Sequence, residues 1–180
     1  MRKLENNELN RPDAEKYRDV VKIPVTVVLD NIRSCHNIGS VFRTSDALLV
    51  EKIYLCGISS TPPDKEIRKT ALGAENSVPW EYFSSTLEVI ADLKSKGYTI
   101  IAVEQVEDSI SLKDYIPTEN ARLALVFGNE VKGVQQEVVD HCDLSLEIPQ
   151  YGTKHSFNIS VSVGIVLWDL FSKLKVHEVN

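Results

Sequence analysis

Short β-branched runs recur along this 180-residue chain, each followed by a segment whose apolar residues have helical spacing, and that alternation most constrains the fold. Val25 to Leu29 reads VTVVL, a buried strand, and Asn37 to Leu49 follows with Ile38, Val41, Phe42 and Leu48 at helical spacing. The pattern returns as a strand near Lys52 to Leu55 and a helix near Asp64 to Leu72. A helix from Ser84 to Lys96, with serines or threonine able to cap it and Gly97 placed to stop it, leads into a strand from Tyr98 to Val103. Strands over Arg122 to Phe127 and Leu144 to Ile148 flank a short helix near Val134 to Asp140, and a last helix runs from about Phe157 to Lys175. Such alternation predicts an α/β fold, a mostly parallel sheet with helices on both faces.

Residues 1 to 22 are polar and mixed in charge and predict a short helical arm, leaving residues 23 to 180 as one domain of ordinary size. The Pro62-Pro63 pair and Pro117 mark loops, and no internal repeat is visible. No apolar run approaches the roughly 20 residues that span a bilayer, and the opening MRKLENNELNRPDAEKYRD lacks a secretory signal's apolar middle, so a cytoplasmic location is expected. Cys35, Cys56 and Cys142 are odd in number and far apart, which predicts reduced thiols and no structural zinc. A net charge of −6 gives no overall basic footprint of the kind nucleic-acid binders carry. Positive charge is uneven, however: Arg33 and Arg43 flank one segment, and Lys65, Arg68 and Lys69 cluster in another.

Three polar, glycine-bearing segments follow predicted strands: Asn31 to Thr44, Val126 to Gly133 and Ile148 to Asn158. In a parallel sheet all strand C-termini share one edge, where open α/β folds bind ligands, so these segments converge on one place. They contain N-x-G-x-x-F-R-T from Asn37, F-G-x-E-x-x-G from Phe127 and I-P-x-x-G-x-x-x-S-F-N from Ile148. In this order the three blocks resemble the signature motifs of the SpoU (TrmH-like) RNA methyltransferases of the SPOUT superfamily, over about residues 23 to 175.

The resemblance implies transfer of a methyl group from S-adenosylmethionine to a ribose 2′-oxygen in tRNA or rRNA. It also implies a C-terminal trefoil knot, an exception to the rule that chains avoid knots, and a homodimer with each active site near the subunit interface. Arg43 matches the family's catalytic arginine. Because guanidinium stays protonated far above neutral pH, the expected role is to grip phosphate or the polarised hydroxyl, with base behaviour only if a neighbouring phosphate relays the proton and a surface salt bridge as the competing reading. Its six-residue spacing from Asn37 is expected to bring both near one pocket. Asn37 serves as a plain N-cap or orients Arg43 or the target nucleotide, and the two roles are compatible. Glu130 is expected to hold Arg43 or to offset the sulfonium, against the alternative of a solvated carboxylate. Ser156 and Asn158 precede the last helix, where capping is expected in any case, and the resemblance places both in the active site.

Gly128 and Gly133 let backbone approach a ligand closely or simply make a turn. The resemblance sets the cofactor against Gly128, Ile148 and Phe157, with Phe127 and Gly133 in the same wall. Arg33 and Lys154 are expected RNA contacts, with a solvated loop charge as the alternative for Arg33. No histidine pairs with a carboxylate at metal-ligand spacing, so no metal is expected, and His36 and His155 read as loop residues. Phe157 stands where leucine is commoner, and Gln150-Tyr151 replaces a stretch that commonly carries methionine. No separate RNA-binding domain is expected before the catalytic one, which leaves the target RNA open. The competing class is a non-catalytic RNA-binding or cofactor-sensing module of the same fold. A serine hydrolase would need a G-x-S-x-G elbow, which is missing.

Overall fold

A computed structural model describes residues 1–9, 12 and 16–174. After a 3₁₀ turn at Asn6–Leu9 and helix α1 (Lys16–Asp19), the order is β1 (Ile23–Asp30), α2 (Cys35–Ala47), β2 (Val50–Cys56), α3 (Lys65–Ala71), α4 (Ala74–Ser77) and β3 (Trp80–Phe83). There follow α5 (Thr86–Ser95), β4 (Thr99–Val103), β5 (Ile110–Ser111), β6 (Leu123–Phe127), α6 (Gln136–Asp140), β7 (Leu144–Glu147) and α7 (Ile159–Leu174). The seven strands form one sheet in the order β3-β2-β1-β6-β4-β7-β5, and every strand pairing is parallel.

Side chains alternate across a strand, so each strand feeds two apolar clusters. Val25, Val27 and Leu29 of β1 join Leu125 of β6 under α2, α3 and α7, whose Phe42, Ile67 and Val166 are fully buried. Val28 of β1 joins Ala124 and Val126 of β6 on the opposite face, against Val89, Ile90 and Leu93 of α5 and Val138 of α6. Helices thus cover both faces, which is why β1 and β6 are continuous apolar runs without a polar side. Close packing of α3 on α2 depends on Gly39, where a Cβ would overlap Thr70 Oγ1 and the Ile67 carbonyl.

The predicted elements stand, with boundary shifts of one or two residues, and two edge strands and the short helix α4 are additional. β3 lies at one edge with Glu81 and Tyr82 exposed, and β5 is two residues long at the other. Helix α2 starts at Cys35, before the expected Asn37, because Ser34 caps it by accepting from Asn37 N at 3.2 Å. The last helix begins at Ile159, after Phe157, and Lys175 at its expected end lies outside the described residues, as do Arg11, Asp13 and Glu15 of the arm. Tyr17 of the arm is buried in the main core and its hydroxyl donates to the Asp46 carbonyl at 3.3 Å. Among the described residues no helix is long and apolar enough to cross a membrane.

Candidate active site

A parallel sheet carries the ends of β1, β4, β6 and β7 to one edge, and a hydrogen-bonded frame forms there. At the tip of β1 the fully buried Asp30 carboxylate accepts from Thr86 Oγ1 at 2.5 Å, Asn31 Nδ2 at 2.9 Å, Gln135 Nε2 at 3.0 Å and Gln135 N at 3.2 Å. Four donors meet the demand of a desolvated carboxylate, and they pin α5 and the loop after β6 to β1. Asn31 follows in the left-handed region at φ 58°, which asparagine tolerates. Its carbonyl accepts from Asn129 Nδ2 at 2.7 Å, a second tie between the two loops.

Glu130 makes the third tie. Its carboxylate accepts from Arg33 N and Ser34 N, each at 3.0 Å, and from Asn37 Nδ2 at 3.0 Å. Burial opposes its ionisation, but the bonds from Arg33 N, the Asn37 side chain, its own N–H and Ser34 N outweigh that, and the group is held below the usual carboxylate range. Asn37 also accepts, through Oδ1, from Asn158 Nδ2 at 3.2 Å. Asn158 Oδ1 in turn accepts from Ser160 N at 2.9 Å and Ser160 Oγ at 2.6 Å, capping α7. One chain of bonds therefore links all three glycine-bearing segments.

Between the loops after β4, β6 and β7 lies a cavity of about 690 Å³, within the roughly 300–1,000 Å³ usual for small-molecule sites. Phe127, Gly128, Glu130 and Gly133 line one wall, and Ile148, Ser156, Phe157 and Asn158 line another. Gly128 is demanded by the protein itself: a Cβ there would overlap Gly133 and Val134 N, where Asn129 and Gly133 pair back on each other. Gly133 sits at φ 68°, and a Cβ on it would overlap Glu104 Oε2. The turn reading thus holds for both glycines, and the turn is what forms the wall.

Four expected site residues do not line the cavity: Asn37, and Arg43, Arg33 and Lys154, of which the last three are exposed. Asn37 reaches it only through Glu130 and Asn158. Six residues turn a helix by about 240° beyond one full revolution, so Arg43 lies about 120° around α2 from Asn37, on the face of His36 and Ser40. The six-residue spacing thus puts the two near one helix end but on different sides of it, so the expectation that both reach one pocket does not hold. Glu130 accordingly holds Asn37 and the turn before α2, not Arg43, and Arg43 has no hydrogen-bond or ion-pair partner among the described residues. With Ser34 as the cap, the side chain of Asn37 is free for the frame, which removes the plain N-cap reading.

Asp30, Glu104 and Gln135 are site residues that sequence reasoning missed. Glu104 lines the cavity and accepts from Gln105 N at 2.9 Å and Val134 N at 3.0 Å. The available signal was a carboxylate at the C-terminal tip of a strand, at Asp30 for β1 and one residue past β4 for Glu104. Burial pushes the Cys56 thiol up to about 12 and the Cys142 thiol to about 11, so neither is a ready nucleophile. No group of three or more His, Cys, Asp or Glu among the described residues is placed to hold a metal ion.

Three polar loops and a cavity at the carboxyl edge of a parallel sheet place the protein among α/β domains that bind a small ligand at that edge. The SpoU rRNA Methylase family model matches residues 24–168, and the chain belongs to that family. It is 33% identical over 144 residues, 80% of its length and 56% of the relative's, to the 23S rRNA (guanosine-2′-O-)-methyltransferase RlmB of Neisseria meningitidis. The fold matches the A. aeolicus TrmH/SpoU tRNA modifying enzyme with a TM-score of 0.79 at 26% identity, over 92% of this chain and 83% of that one. It also matches an AdoMet-bound rRNA methyltransferase from Sinorhizobium meliloti with a TM-score of 0.77 at 24% identity, over 91% of this chain and 61% of that one. The chain spans 56% and 63% of the lengths of the first two curated relatives it matches.

Proposed function

We propose that this protein transfers the methyl group of S-adenosylmethionine to a ribose 2′-hydroxyl of tRNA or rRNA. The observation that carries the reading is the frame Asn158–Asn37–Glu130, which joins the three motif segments at the wall of one cavity. The cavity fits the cofactor in size, and its chemistry suits a sulfonium: Glu104, Glu130 and Glu147 stand in the wall beside apolar Val103, Leu146, Ile148 and Phe157. Gly128, Ile148 and Phe157 would hold it, with Phe127 and Gly133 behind them. When bound, the cofactor supplies an electrophilic methyl group.

The protein's share is alignment. Asn37 and Glu130 hold the turn before α2, and Ser156 and Asn158 shape the opening of the cavity. Arg43, without a partner among the described residues, grips the phosphate beside the target ribose and steadies the hydroxyl, whose oxygen would gain the methyl group as the carbon–sulfur bond breaks and S-adenosylhomocysteine leaves. As a permanent cation it does not take the hydroxyl proton, which leaves through the neighbouring phosphate to water. Arg33 and Lys154 contact RNA at the rim. The ribose hydroxyl is reachable in a structured loop without opening a duplex.

A homodimer belongs to this proposal. Val161 and Trp168 of α7 are exposed, Trp168 is stacked on Phe171 at 6.1 Å, and such a face suits a second copy. A trefoil knot threaded by the C-terminal segment and a cytoplasmic location complete it, supported by family membership. The test is tritium transfer from labelled S-adenosylmethionine to unmodified tRNA and, separately, rRNA, with digestion to nucleosides. Label in a 2′-O-methylnucleoside is the expected result. Label on a base overturns the ribose assignment, and cofactor binding without label on any RNA favours the non-catalytic module.

A further inference from the structure

Charge pairing divides the cations of this acidic chain into two sets. Lys52, Lys94, Lys96, Arg122 and Lys173 each stand within 3.2 Å of a carboxylate, and all lie away from the motif loops. Near the active-site edge Lys69 is paired with Glu66 on its own helix, whereas among the described residues Arg33, Arg43, Lys65 and Arg68 are exposed and have no side-chain partner. Of the other cations without one, Lys132 and Lys154 lie on motif loops, Lys113 beside Tyr151 in an adjoining recess, and Lys3 and Arg18 in the arm.

The carboxylates that could neutralise Lys65 and Arg68 are already engaged. Asp64 caps α3, its Oδ1 accepting from Glu66 N at 2.7 Å and Ile67 N at 3.1 Å. Glu66 is bound by Lys69 Nζ at 2.7 Å and by His36 Nε2 at 3.1 Å. The His36 contact, with Thr70 Oγ1 donating to the His36 carbonyl at 2.9 Å, fixes α3 beside the first turn of α2. Lys65 and Arg68 are three residues apart and so share one face of α3. Arg43 lies on the face of α2 that carries His36, and Arg33 just before that helix. Uncompensated cations, not net charge, set the local potential, and a run of them beside a ribose-modifying site matches the repeating phosphates of a polynucleotide.

We propose that the exposed face of α3, continued by Arg43 and Arg33, is a phosphate track that seats the RNA strand entering the active site. The inference rests on the RNA methyltransferase reading above. Contacts of this kind position the strand without reading its sequence, so they act alike on every RNA the protein accepts.

The test compares Lys65→Gln/Arg68→Gln with Lys52→Gln/Lys96→Gln, which removes the same charge from paired positions. Binding of transcribed, unmodified tRNA is titrated against salt, and affinity for S-adenosylhomocysteine is measured by calorimetry. The α3 variant is expected to lose roughly tenfold in affinity at low salt and to show a log K against log salt slope shallower by about 1.5. Its cofactor affinity stays that of the wild type, and the control pair keeps the wild-type slope. An unchanged slope in the α3 variant, or an equal change in the control, overturns the track, as does loss of binding to anionic phospholipid vesicles with tRNA binding intact. Failure of the wild-type protein to bind S-adenosylhomocysteine would instead count against the methyltransferase reading.

Discussion

Asn37 and Glu130, 93 positions apart in the chain, are joined by a 3.0 Å hydrogen bond from Nδ2 to Oε1. The geometry works because Ser34, not Asn37, caps α2, so the amide of Asn37 is free to donate to one loop and accept from Asn158 on another. No other side-chain type of this size offers both a donor and an acceptor in one plane without charge.

Asn37→Ala is therefore expected to fold and to lose transfer. The bond to a charged acceptor contributes about 1.5–3 kcal/mol when shielded and less at this exposed site. Loosened loops misplace the reacting groups, for which a loss on the order of 100-fold in kcat is expected. Asn37→Asp should be worse at neutral pH, because it sets a second carboxylate against Glu130. Single-turnover methyl transfer beside thermal melts checks both, and wild-type kcat in either variant removes the frame from the mechanism.

Gly128→Ala tests the wall. The added methyl overlaps backbone atoms of Gly133 and Val134, which cannot swing aside as a side chain tip can. Relief requires opening the paired turn at Asn129 and Gly133, so affinity for S-adenosylhomocysteine should fall at least tenfold, with stability lower by about 1–3 kcal/mol. Calorimetric titration at wild-type affinity would show that the turn does not build the cofactor site.

Much of the scaffold was legible in the sequence because both faces of β1 and β6 are buried, which leaves continuous apolar runs such as VTVVL. The motif blocks located eight of the residues that line the cavity. Edge strand β3 was not legible, since it exposes Glu81 and Tyr82 and has neither an apolar run nor a clean alternation. Nor was the partner of Glu130: the six-residue spacing sets Asn37 and Arg43 about 120° apart on α2, but only the fold shows which side of that helix faces the loop after β6. Asp30 was hidden because it looked like the polar end of a strand, and only the fold brings Thr86 and Gln135 to it.

Glu130 also predicts a pH dependence. Its folded value lies below the ordinary 4.5, so ionised Glu130 stabilises the loops above that pH and the contribution is lost as pH falls through the folded value. Glu130→Gln should melt below the wild type at neutral pH, and the gap should close on acidification below about 4.5. The effect is small because the carboxylate is largely exposed to solvent screening. Melting curves from pH 7 to 3 read it, and a gap that widens toward low pH would reverse the assigned sign.

Arg43→Ala separates catalysis from folding. The guanidinium is exposed and without a partner among the described residues, so its loss should change stability by no more than about 0.5 kcal/mol. It does not line the cavity, and affinity for S-adenosylhomocysteine should stay within about twofold of the wild type. Transfer to RNA should nonetheless be abolished if Arg43 grips the phosphate beside the target ribose. Arg43→Lys is the sharper variant: it keeps the charge but loses the planar fork that binds two phosphate oxygens at once, so RNA affinity should survive better than kcat. Undiminished turnover in Arg43→Ala would leave the residue a surface cation. Full rescue by lysine would reduce its part to electrostatic attraction, with alignment left to Asn37, Glu130 and Asn158.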